Sequence, residues 1–295
     1  MKRLRVTHTT GFRYQDEASA SYNEARMLPA SREGQWVLSA HIDTRPNAPQ
    51  HTYTDYWGTR VTAFEVLSPH RELVLSASSL VEVAERAHED CELSWDELFD
   101  AGRRSVECVE QLRQSTRTEP PREVAKLAAE LAGAAGSPCA AAEAICRAIG
   151  ESMEYVQGVT RVDDTAAEAW EARRGVCQDI VHIALGALRS VGIPARYVSG
   201  YLHPQPDAPL RETVVGESHA WVEWYCGPAR GEAAESADPS GVWRGWDPTN
   251  LLEVGDRHVY VGHGRDYDDI APIRGVYAGA GEADIFVKVE ITREA

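Results

Sequence analysis

Three residues that serve together in nucleophilic catalysis occur in order along the second half of the chain: Cys177, His219 and Asp247. A cysteine nucleophile needs a base within hydrogen-bond reach, and the base needs an acceptor that fixes its tautomer. Each residue also has an ordinary alternative role, as a buried thiol, a half-buried strand histidine or an Asp-Pro turn. Only the combination indicates acyl-transfer chemistry. The prediction therefore depends on whether the elements of the fold bring the three side chains together.

Cys177 stands at the beginning of a predicted helix. A cysteine in the first turn faces free backbone N–H groups and the positive end of the helix dipole, and both favour the thiolate. The same N–H groups can hold an oxyanion during acyl transfer. Gly192 and Pro194 end the helix. Its buried face is predicted from the apolar residues that recur at helical spacing, which are Ile180, Ala184, Ala187, Leu188 and Val191.

His219 and Asp247 lie in segments that predict neighbouring strands. In "SHAWVEWY" the period of two puts His219, Trp221 and Glu223 on one face, and we place His219 at the start of that strand. Asp247, in "GWDPTN", precedes a proline and is biased to an extended or turn conformation at the end of the next strand. If both strands pack against the helix of Cys177, one face carries all three side chains.

The rest of the chain divides into a β-rich and a helix-rich part. Period-two alternation predicts strands over about the first 85 residues, and again after residue 195 up to the final "EADIFVKVEIT". Between about residues 94 and 150 the composition predicts helices. One of them, in "PPREVAKLAAELAGAAG", begins with proline and ends with glycine, and Ser137 is the predicted N-cap of the next. The chain shows no internal repeat.

This order of elements predicts an α+β protein. An N-terminal antiparallel β-sandwich-like domain spans residues 1–90, and a catalytic domain with helices packed on an antiparallel sheet spans residues 91–295. The boundary falls between about residues 85 and 120, and the strand at about 283–293 can pair back onto either sheet. The stretches "HPQPDAPLRETVVGE" and "GPARGEAAESADPSG" lack periodicity and predict mobile loops, the second of which shapes the substrate cleft or is an inert insertion.

The composition limits which binding partners and which cellular compartment we expect. The formal net charge of −16 disfavours nucleic acid and anionic membranes as main partners. No apolar run approaches the roughly 20 residues that span a bilayer, and "MKRLRVTHTTGFRY" alternates like a strand rather than a signal peptide. We therefore expect a cytoplasmic protein whose six cysteines are thiols. A zinc site of Cys177, His182, His203 and Cys226 has poor spacing, so we expect no metal.

The motifs resemble the bacterial transglutaminase-like family, within the papain-like cysteine enzyme superfamily. The matching segments, in order, are "RRGVCQDIVHIALGALRSVGIPARYVSGYL", "SHAWVEWY", "GWDPTN" and "HVYVGHGRDYDDIAPIRGVYAG". In the N-terminal part, "VTHTTGFRY", "ARMLPA" and "DYWGTRVTAFEV" resemble the β-domain that precedes the catalytic domain in this subfamily. The resemblance covers nearly the whole chain and implies the transglutaminase-like, papain-like fold.

The resemblance also implies a mechanism. Cys177 is the nucleophile, His219 the general base and then acid, and Asp247 the orienting group, with a thioester made from an amide. The acceptor is water in a peptidase or amidase, which is our default, or an amine in a true transglutaminase. A non-catalytic protein-binding module and, more remotely, an acetyl-coenzyme-A-dependent acyltransferase stay open. The implied substrate is a peptide or protein, no cofactor is required, and the oligomeric state is not predicted.

Further residues are candidates for contacts around the nucleophile. In relatives an oxyanion hole combines the backbone N–H of the cysteine with a second donor, for which Tyr155 and Gln157 are the candidates here. Other candidates for oxyanion or substrate contact are Gln178, Trp221 and Trp246. The tryptophans line an acyl pocket or, as is more common beside a strand, belong to the core. In "GRDY" we expect Arg265 and Asp266 to pair.

Overall fold

The computed structural model describes residues 1–85, 91, 93–228 and 241–295. Most of the predicted loop "GPARGEAAESADPSG" therefore lies outside the described residues. Within the described ranges the chain forms fifteen strands and seven helices. None of these helices is both long enough and apolar enough to cross a membrane.

The N-terminal region forms strands of two antiparallel sheets. The strands are β1 (Lys2–Ala18), β2 (Ala20–Ala25), β3 (Gln35–Arg45), β4 (Gln50–Thr54), β5 (Arg60–Val66) and β6 (His70–Val83). In one sheet β6 lies between β1 and β3, and in the other β5 lies between β2 and β4. Alternate residues of β6 are buried, because every second side chain faces the core between the layers. This core includes Leu73, Leu75, Phe64 and Met27.

Helices follow and lead to the predicted nucleophile. They are α1 (Trp95–Arg104), α2 (Val106–Gln111), α3 (Arg122–Ala134), α4 (Pro138–Glu151), α5 (Ala166–Ala172) and α6 (Cys177–Ser190). Two short strands, β7 (Glu154–Tyr155) and β8 (Arg174–Gly175), pair in parallel ahead of α6. Ser137 is the N-cap of α4, as predicted, and its hydroxyl accepts a hydrogen bond from the Ala140 N–H. Helix α6 is buried along most of its length, against α3, α4, α5 and the sheet.

A central antiparallel sheet packs against α6. Its strands are β9 (Ala195–Leu202), β10 (Thr213–Pro228), β11 (Gly241–Asp247), β12 (Leu252–Glu253) and β13 (His258–Gly264). Strand β10 pairs with β9 and with β11, and β13 pairs with β9. The structure is thus α+β, with helices packed on an antiparallel sheet after a β-rich N-terminal region, as the sequence predicted.

The last elements return to the N-terminal region. They are α7 (Tyr267–Ile270), β14 (Ile273–Ala278) and β15 (Ala283–Arg293). Strand β14 pairs with β2, and β15 pairs with both β1 and the first residues of β10. A single sheet therefore runs in the order β12-β11-β10-β15-β1-β6-β3. The C-terminal strand joins the N-terminal strands to the sheet of the predicted catalytic residues.

Two expectations about the chain near β10 were wrong. Strand β10 begins at Thr213, so the predicted loop "HPQPDAPLRETVVGE" ends in a strand, and His219 lies within that strand instead of at its start. The reason is a partner far along the chain: Thr213 to Gly216 pair with β15. Local alternation in this half-exposed segment gives no sign of such a distant partner.

The expectation of six thiols was also wrong. Cys91 and Cys226 form a disulfide between residues 135 positions apart, with a Cα–Cα distance of 4.9 Å. The fold brings the segment before α1 alongside the end of β10, where Leu93 packs beside Gly227. A spacing pattern in the sequence does not reveal a contact made by the tertiary fold.

The expected pair of Arg265 and Asp266 is replaced by another. Arg265 donates two hydrogen bonds to Asp269, from Nε at 2.9 Å and from Nη2 at 3.0 Å. Asp266 instead caps α7 by accepting a hydrogen bond from the Asp268 N–H. The physical reason is the N-cap: Asp266 turns its carboxylate towards the Asp268 N–H, and Arg265, which precedes the helix, bonds Asp269 through its backbone N–H as well.

Candidate active site

Cys177 is the first residue of α6 and is partly exposed. The helix start is fixed by Asp179, whose carboxylate accepts hydrogen bonds from the Val176 N–H at 2.8 Å and the Thr160 hydroxyl at 2.7 Å. A Cβ atom on Gly175 would lie 2.6 Å from Asp179 Oδ2, so a glycine is needed where the chain turns into the helix. These contacts hold the cysteine at the end of the helix where backbone N–H groups are free.

His219 lies between Cys177 and Asp247. Asp247 is the last residue of β11, beside β10, and its Oδ2 lies 2.7 Å from His219 Nε2. Since a carboxylate only accepts hydrogen bonds, we assign a proton to Nε2. Nδ1 is then the ring nitrogen left for Cys177, which lies close enough to His219 to help raise the pKa of the imidazole. The three side chains thus have the connectivity of a nucleophile, a base and an orienting acceptor.

The charges of the site reinforce one another. Burial alone would lower the pKa of His219, but the Asp247 charge, its hydrogen bond and the neighbouring Cys177 outweigh burial and raise it from 6.5 to about 10. Burial would raise the pKa of Asp247, yet His219 and the hydrogen bonds hold it well below its usual range. An imidazolium–carboxylate pair is therefore expected at neutral pH. Cys177 therefore has a cationic neighbour in His219.

The Asp247 carboxylate is fully buried and accepts further hydrogen bonds. Its Oδ1 accepts from the backbone N–H groups of Thr249 and Asn250, and its Oδ2 accepts from the Asn250 side chain at 2.8 Å. His258 Nε2 lies 3.3 Å from the same oxygen. Because the Gly255 N–H donates to His258 Nδ1 at 3.2 Å, the proton of this ring resides on Nε2 and points to Asp247.

His258 and Asn250 were not predicted from the sequence. Asn250 belongs to the turn "DPTN" that follows Asp247, where Asx-type hydrogen bonding could have indicated it. His258 is eleven positions beyond Asp247 on β13, and nothing in its local pattern indicates the contact. Burial lowers the pKa of His258, so it contributes a neutral N–H donor to the carboxylate.

Two sets of residues could be considered as metal ligands. In the described residues, His219, Asp247 and His258 present ligand atoms within 4.8 Å of one another. Both histidines direct an N–H at the carboxylate, however, so the arrangement fits a hydrogen-bonded network better than a set of metal ligands. Of the zinc alternative considered from the sequence, Cys226 is bonded to Cys91, and His182 accepts a hydrogen bond from the Tyr267 N–H.

Tyr155 and Gln157, the two candidate oxyanion donors, meet at Glu217. The Tyr155 hydroxyl donates to Glu217 Oε2 at 2.7 Å, and the Gln157 amide donates to Oε1. Burial, followed by the bond to Glu217 and by nearby Cys177, raises the pKa of Tyr155, which places this side chain next to the nucleophile. The Tyr155 hydroxyl already donates its one O–H to Glu217, whereas the Gln157 amide retains a second N–H.

The other three candidates have structural contacts. The Gln178 amide donates to the Val162 carbonyl at 3.0 Å. Trp221 is buried and packs edge-on against His258, with ring centroids 5.3 Å apart. Trp246 is buried in the core of the helical region. Both tryptophans are therefore core residues, and neither presents an open face to a substrate.

A large cavity lies away from these residues. It has a volume of about 1400 Å³ and opens between strands of the N-terminal region and the returning β14 and β15. Its walls include Phe12, Tyr14, Phe64, Tyr277 and Ile285. None of Cys177, His219 and Asp247 lines it, so this cavity is separate from the candidate active site.

Comparisons with known proteins identify the family. Residues 4–82 match the bacterial transglutaminase-like N-terminal region, and residues 125–248 match the transglutaminase-like superfamily. The chain is 39% identical to an uncharacterized protein of Mycobacterium leprae (strain TN), with 100% of both chains covered. It is 30% identical to an uncharacterized protein of Mycobacterium tuberculosis (strain ATCC 25618 / H37Rv), covering 98% of this chain and 92% of that relative. The chain belongs to the transglutaminase-like superfamily, as its motifs predicted.

A solved structure shares the fold. The crystal structure of a candidate cysteine protease from Cytophaga hutchinsonii aligns with a TM-score of 0.73 at 19% sequence identity, covering 100% of this chain and 91% of that chain. At this level of identity the likeness shows the architecture alone. It confirms the predicted combination of a β-rich N-terminal region and a transglutaminase-like core.

Proposed function

We propose that this protein is a cysteine-dependent acyl-transfer enzyme with Cys177 as nucleophile, His219 as general base and acid, and Asp247 as orienting group. The observation that carries the proposal is the 2.7 Å hydrogen bond between His219 Nε2 and Asp247 Oδ2, made beside a cysteine at a helix N-terminus. Membership of the transglutaminase-like superfamily supports the same assignment.

In the acylation step the Cys177 thiolate attacks the carbonyl carbon of an amide. The developing oxyanion is stabilised by N–H groups of the first turn of α6, and the second N–H of Gln157 is the additional donor that we favour. When the tetrahedral intermediate collapses, the C–N bond breaks and the leaving nitrogen takes a proton from His219 Nδ1. The acyl group is then held as a thioester, and His219 is neutral.

In the deacylation step an acceptor attacks the thioester. His219 takes a proton from the acceptor, the acceptor bonds to the carbonyl carbon, and the C–S bond breaks to restore the Cys177 thiolate. We propose water as the acceptor, which makes the enzyme a hydrolase of a peptide, isopeptide or side-chain amide bond. The alternative is an amine acceptor, as in a true transglutaminase. Both routes use only side chains and backbone groups, without a cofactor.

The proposed substrate is a peptide or protein, since its amide bonds fit this chemistry. The net charge of −16 weighs against nucleic acid and anionic membranes as partners. A cytoplasmic location stays a proposal, and the Cys91–Cys226 disulfide weighs against it because such bonds persist mainly in oxidising compartments. Trapping thiols in intact cells before lysis would show whether this pair is oxidised there.

The first test measures how fast iodoacetamide labels each cysteine from about pH 5 to about pH 9, read by peptide mass spectrometry. Cys177 should label faster than Cys108 and Cys146, which are buried. Its rate should fall by about tenfold or more in His219→Ala and in Asp247→Asn. Asp256→Asn, which removes only a partly exposed ion pair with Lys2, is the matched control.

Equal labelling of Cys177 and the buried thiols would contradict the proposal and favour a protein-binding module. If Cys177 is primed, peptide amides are screened with Cys177→Ser and Cys177→Ala as inactive references. Turnover of every substrate by these variants at the wild-type rate would also contradict it. Product mass distinguishes the acceptors, because hydrolysis adds water to the acyl product and transamidation adds the amine.

A further inference from the structure

Three cysteines unrelated to the proposed triad form a cluster at the junction of α4, β10 and the segment before α1. The sulfur atoms of Cys91, Cys139 and Cys226 lie within 4.8 Å of one another. Cys91 and Cys226 are bonded, and Cys139 is a free thiol. A thiol at this distance from a disulfide is within reach of thiol–disulfide exchange after a small side-chain rotation.

The surroundings of Cys139 suit an attacking thiol. It lies in the first turn of α4, a helix of 14 residues, beside the positive end of the helix dipole. Arg244 Nη1 donates to Cys139 Sγ at 3.1 Å, and Glu143 and Glu253 pair with the same guanidinium. Positive charge beside a cysteine is the environment in which thiols react as nucleophiles.

A metal is a poorer occupant of this cluster. Cys139 Sγ already accepts a hydrogen bond from the Arg244 guanidinium, which occupies one of the three sulfurs that a cation would need. Cys91 and Cys226 also have no free thiolate while they are bonded to each other. Exchange among the sulfurs needs neither a cation nor any group from outside the protein.

We propose that Cys139, Cys226 and Cys91 form an internal thiol–disulfide exchange site that converts the Cys91–Cys226 bond into a Cys139–Cys226 bond. The Cys139 thiolate attacks Cys226 Sγ, the new S–S bond forms, and the old bond breaks with its electron pair on Cys91. Cys139 loses one proton and Cys91 gains one. The step is an isomerisation, with no net oxidation or reduction.

The exposure of Cys91 and Cys226 sets the direction of attack. Cys91 is partly exposed, so its thiolate is solvated as it leaves, whereas Cys226 is only 7% exposed. Attack on Cys91 would instead leave a buried Cys226 thiolate without water, which is costly. The exchange detaches Cys91 from β10 and ties β10 to α4. This inference does not depend on the proposed acyl-transfer activity.

The test traps the released Cys91. Wild-type protein is oxidised with glutathione disulfide, freed of small thiols and incubated, still folded, with N-ethylmaleimide near pH 8, where alkylation of Cys91 pulls the exchange forward. Trypsin and Glu-C digestion without reductant then separates Cys139 from Cys146, since Glu143 lies between them. Mass spectrometry reads which sulfur is alkylated and which pair is bonded.

The expected product has maleimide on Cys91 and a Cys139–Cys226 bond. Cys146 and Cys108, whose thiol pKa values are raised by burial, should stay unlabelled in the same sample and serve as internal controls. Retention of the Cys91–Cys226 bond, with Cys139 either free or itself alkylated, overturns the proposal. Failure of glutathione disulfide to produce any bond among the three cysteines overturns it as well.

Two variants isolate the roles of the leaving and attacking groups. In Cys91→Ser, glutathione disulfide should produce the Cys139–Cys226 bond directly. If Cys139 and Cys226 stay free thiols in this variant, Cys139 does not reach Cys226 and the proposal is contradicted. Arg244→Gln should slow the trapping of Cys91 by about tenfold, since a charge-assisted hydrogen bond to the thiolate is lost. Far-UV circular dichroism confirms that each variant is folded before its rate is compared.

Discussion

At the scale of single residues, the buried carboxylate of Asp247 determines what the site can do. It accepts hydrogen bonds from His219, from the turn at Asn250 and from His258, and it has no exposed surface. A buried carboxylate that accepts fewer hydrogen bonds is less stable in its ionised form. Each donor that keeps Asp247 ionised therefore also helps to keep His219 protonated. The reactivity of Cys177 therefore depends on residues that never touch it.

The role of His258 can be tested with two substitutions. His258→Leu removes the donor to Asp247 and should slow iodoacetamide labelling of Cys177 by about tenfold, with a loss of about 1–3 kcal/mol in the free energy of unfolding. His258→Gln keeps an N–H at nearly the same position and should restore most of the labelling rate. Equal labelling rates in the Leu and Gln variants would show that His258 only fills space.

A second prediction concerns pH and His219. The pKa of this imidazole is raised from 6.5 to about 10 in the folded protein, so its charge stabilises the fold fully below about pH 6.5. That contribution is lost as the pH rises through about 10. The difference in unfolding free energy between wild type and His219→Gln should therefore shrink between these two pH values.

Urea unfolding of both proteins at a series of pH values measures this difference. The sign is specific to a base whose folded pKa is raised: a histidine that burial keeps neutral would give a difference that grows as the pH rises to about 6.5 and is constant above it. His258, whose pKa is lowered by burial, supplies that contrast within the same site. A difference between wild type and His219→Gln that does not change with pH would rule out the imidazolium–carboxylate pair.

How far the site could be predicted from sequence is also visible at this scale. Cys177, His219 and Asp247 were predicted because their types and motifs indicate a shared chemistry. His258 and Glu217 could not be, because their contacts depend on which strands become neighbours and on the direction each side chain then takes. Glu217 precedes His219 by two positions on one strand face, yet its partners Tyr155 and Gln157 come from a separate segment.

At the scale of elements, the start of α6 is the most constrained point near the nucleophile. Gly175→Ala places a methyl group against the Asp179 carboxylate, which caps the helix through the Val176 N–H. We expect a loss of about 1–3 kcal/mol in the free energy of unfolding, because the carboxylate must move from its position. Slower labelling of Cys177 should accompany the loss, since the first turn shifts with its cap.

The matched control is Gly133→Ala, within α3. A Cβ atom at Gly133 meets nothing within 4 Å, and alanine favours a helix over glycine by up to about 1 kcal/mol. This variant should be as stable as wild type or more stable, with unchanged labelling. Thermal unfolding and iodoacetamide labelling rates are measured for Gly175→Ala and Gly133→Ala. Equal stability of the two variants would contradict a steric requirement for glycine at position 175.

The elements themselves were predictable where local chemistry defines them. The N-cap of α4 at Ser137 follows from local residue types. Periodicity predicted a single buried face for α6, but residues 178–189 are buried on all sides because helices and the sheet surround them. The predicted start of the strand that holds His219 was wrong, and so was the expectation of six free thiols. Both features depend on a partner far away in the chain. Strand limits and disulfides are tertiary properties, whereas helix caps are local ones.

At the scale of the whole molecule, the N-terminal region and strands β9 to β13 share a hydrophobic core. That core combines residues of β1 and β6 with residues of β9, β10, β13 and β15. Its members are Leu4, Val6, Val81, Val83, Tyr201, Val214, Val259, Val261, Val289 and Ile291. Polar contacts cross the same junction: Arg32 pairs with buried Glu223 at 2.9 Å, and the Tyr201 hydroxyl donates to the Met27 carbonyl. Two regions joined in this way should unfold together.

Ile291→Ala tests this cooperation, because Ile291 is fully buried on β15 between Val6 of β1 and Val214 of β10. We expect a loss of about 2–5 kcal/mol, with tryptophan fluorescence and far-UV circular dichroism reporting the same denaturant midpoint. Val287→Ala, on the same strand but 54% exposed, should change little. Two separate midpoints in the Ile291 variant would show that the N-terminal strands and strands β9 to β13 unfold independently, since only a shared core makes one substitution destabilise both.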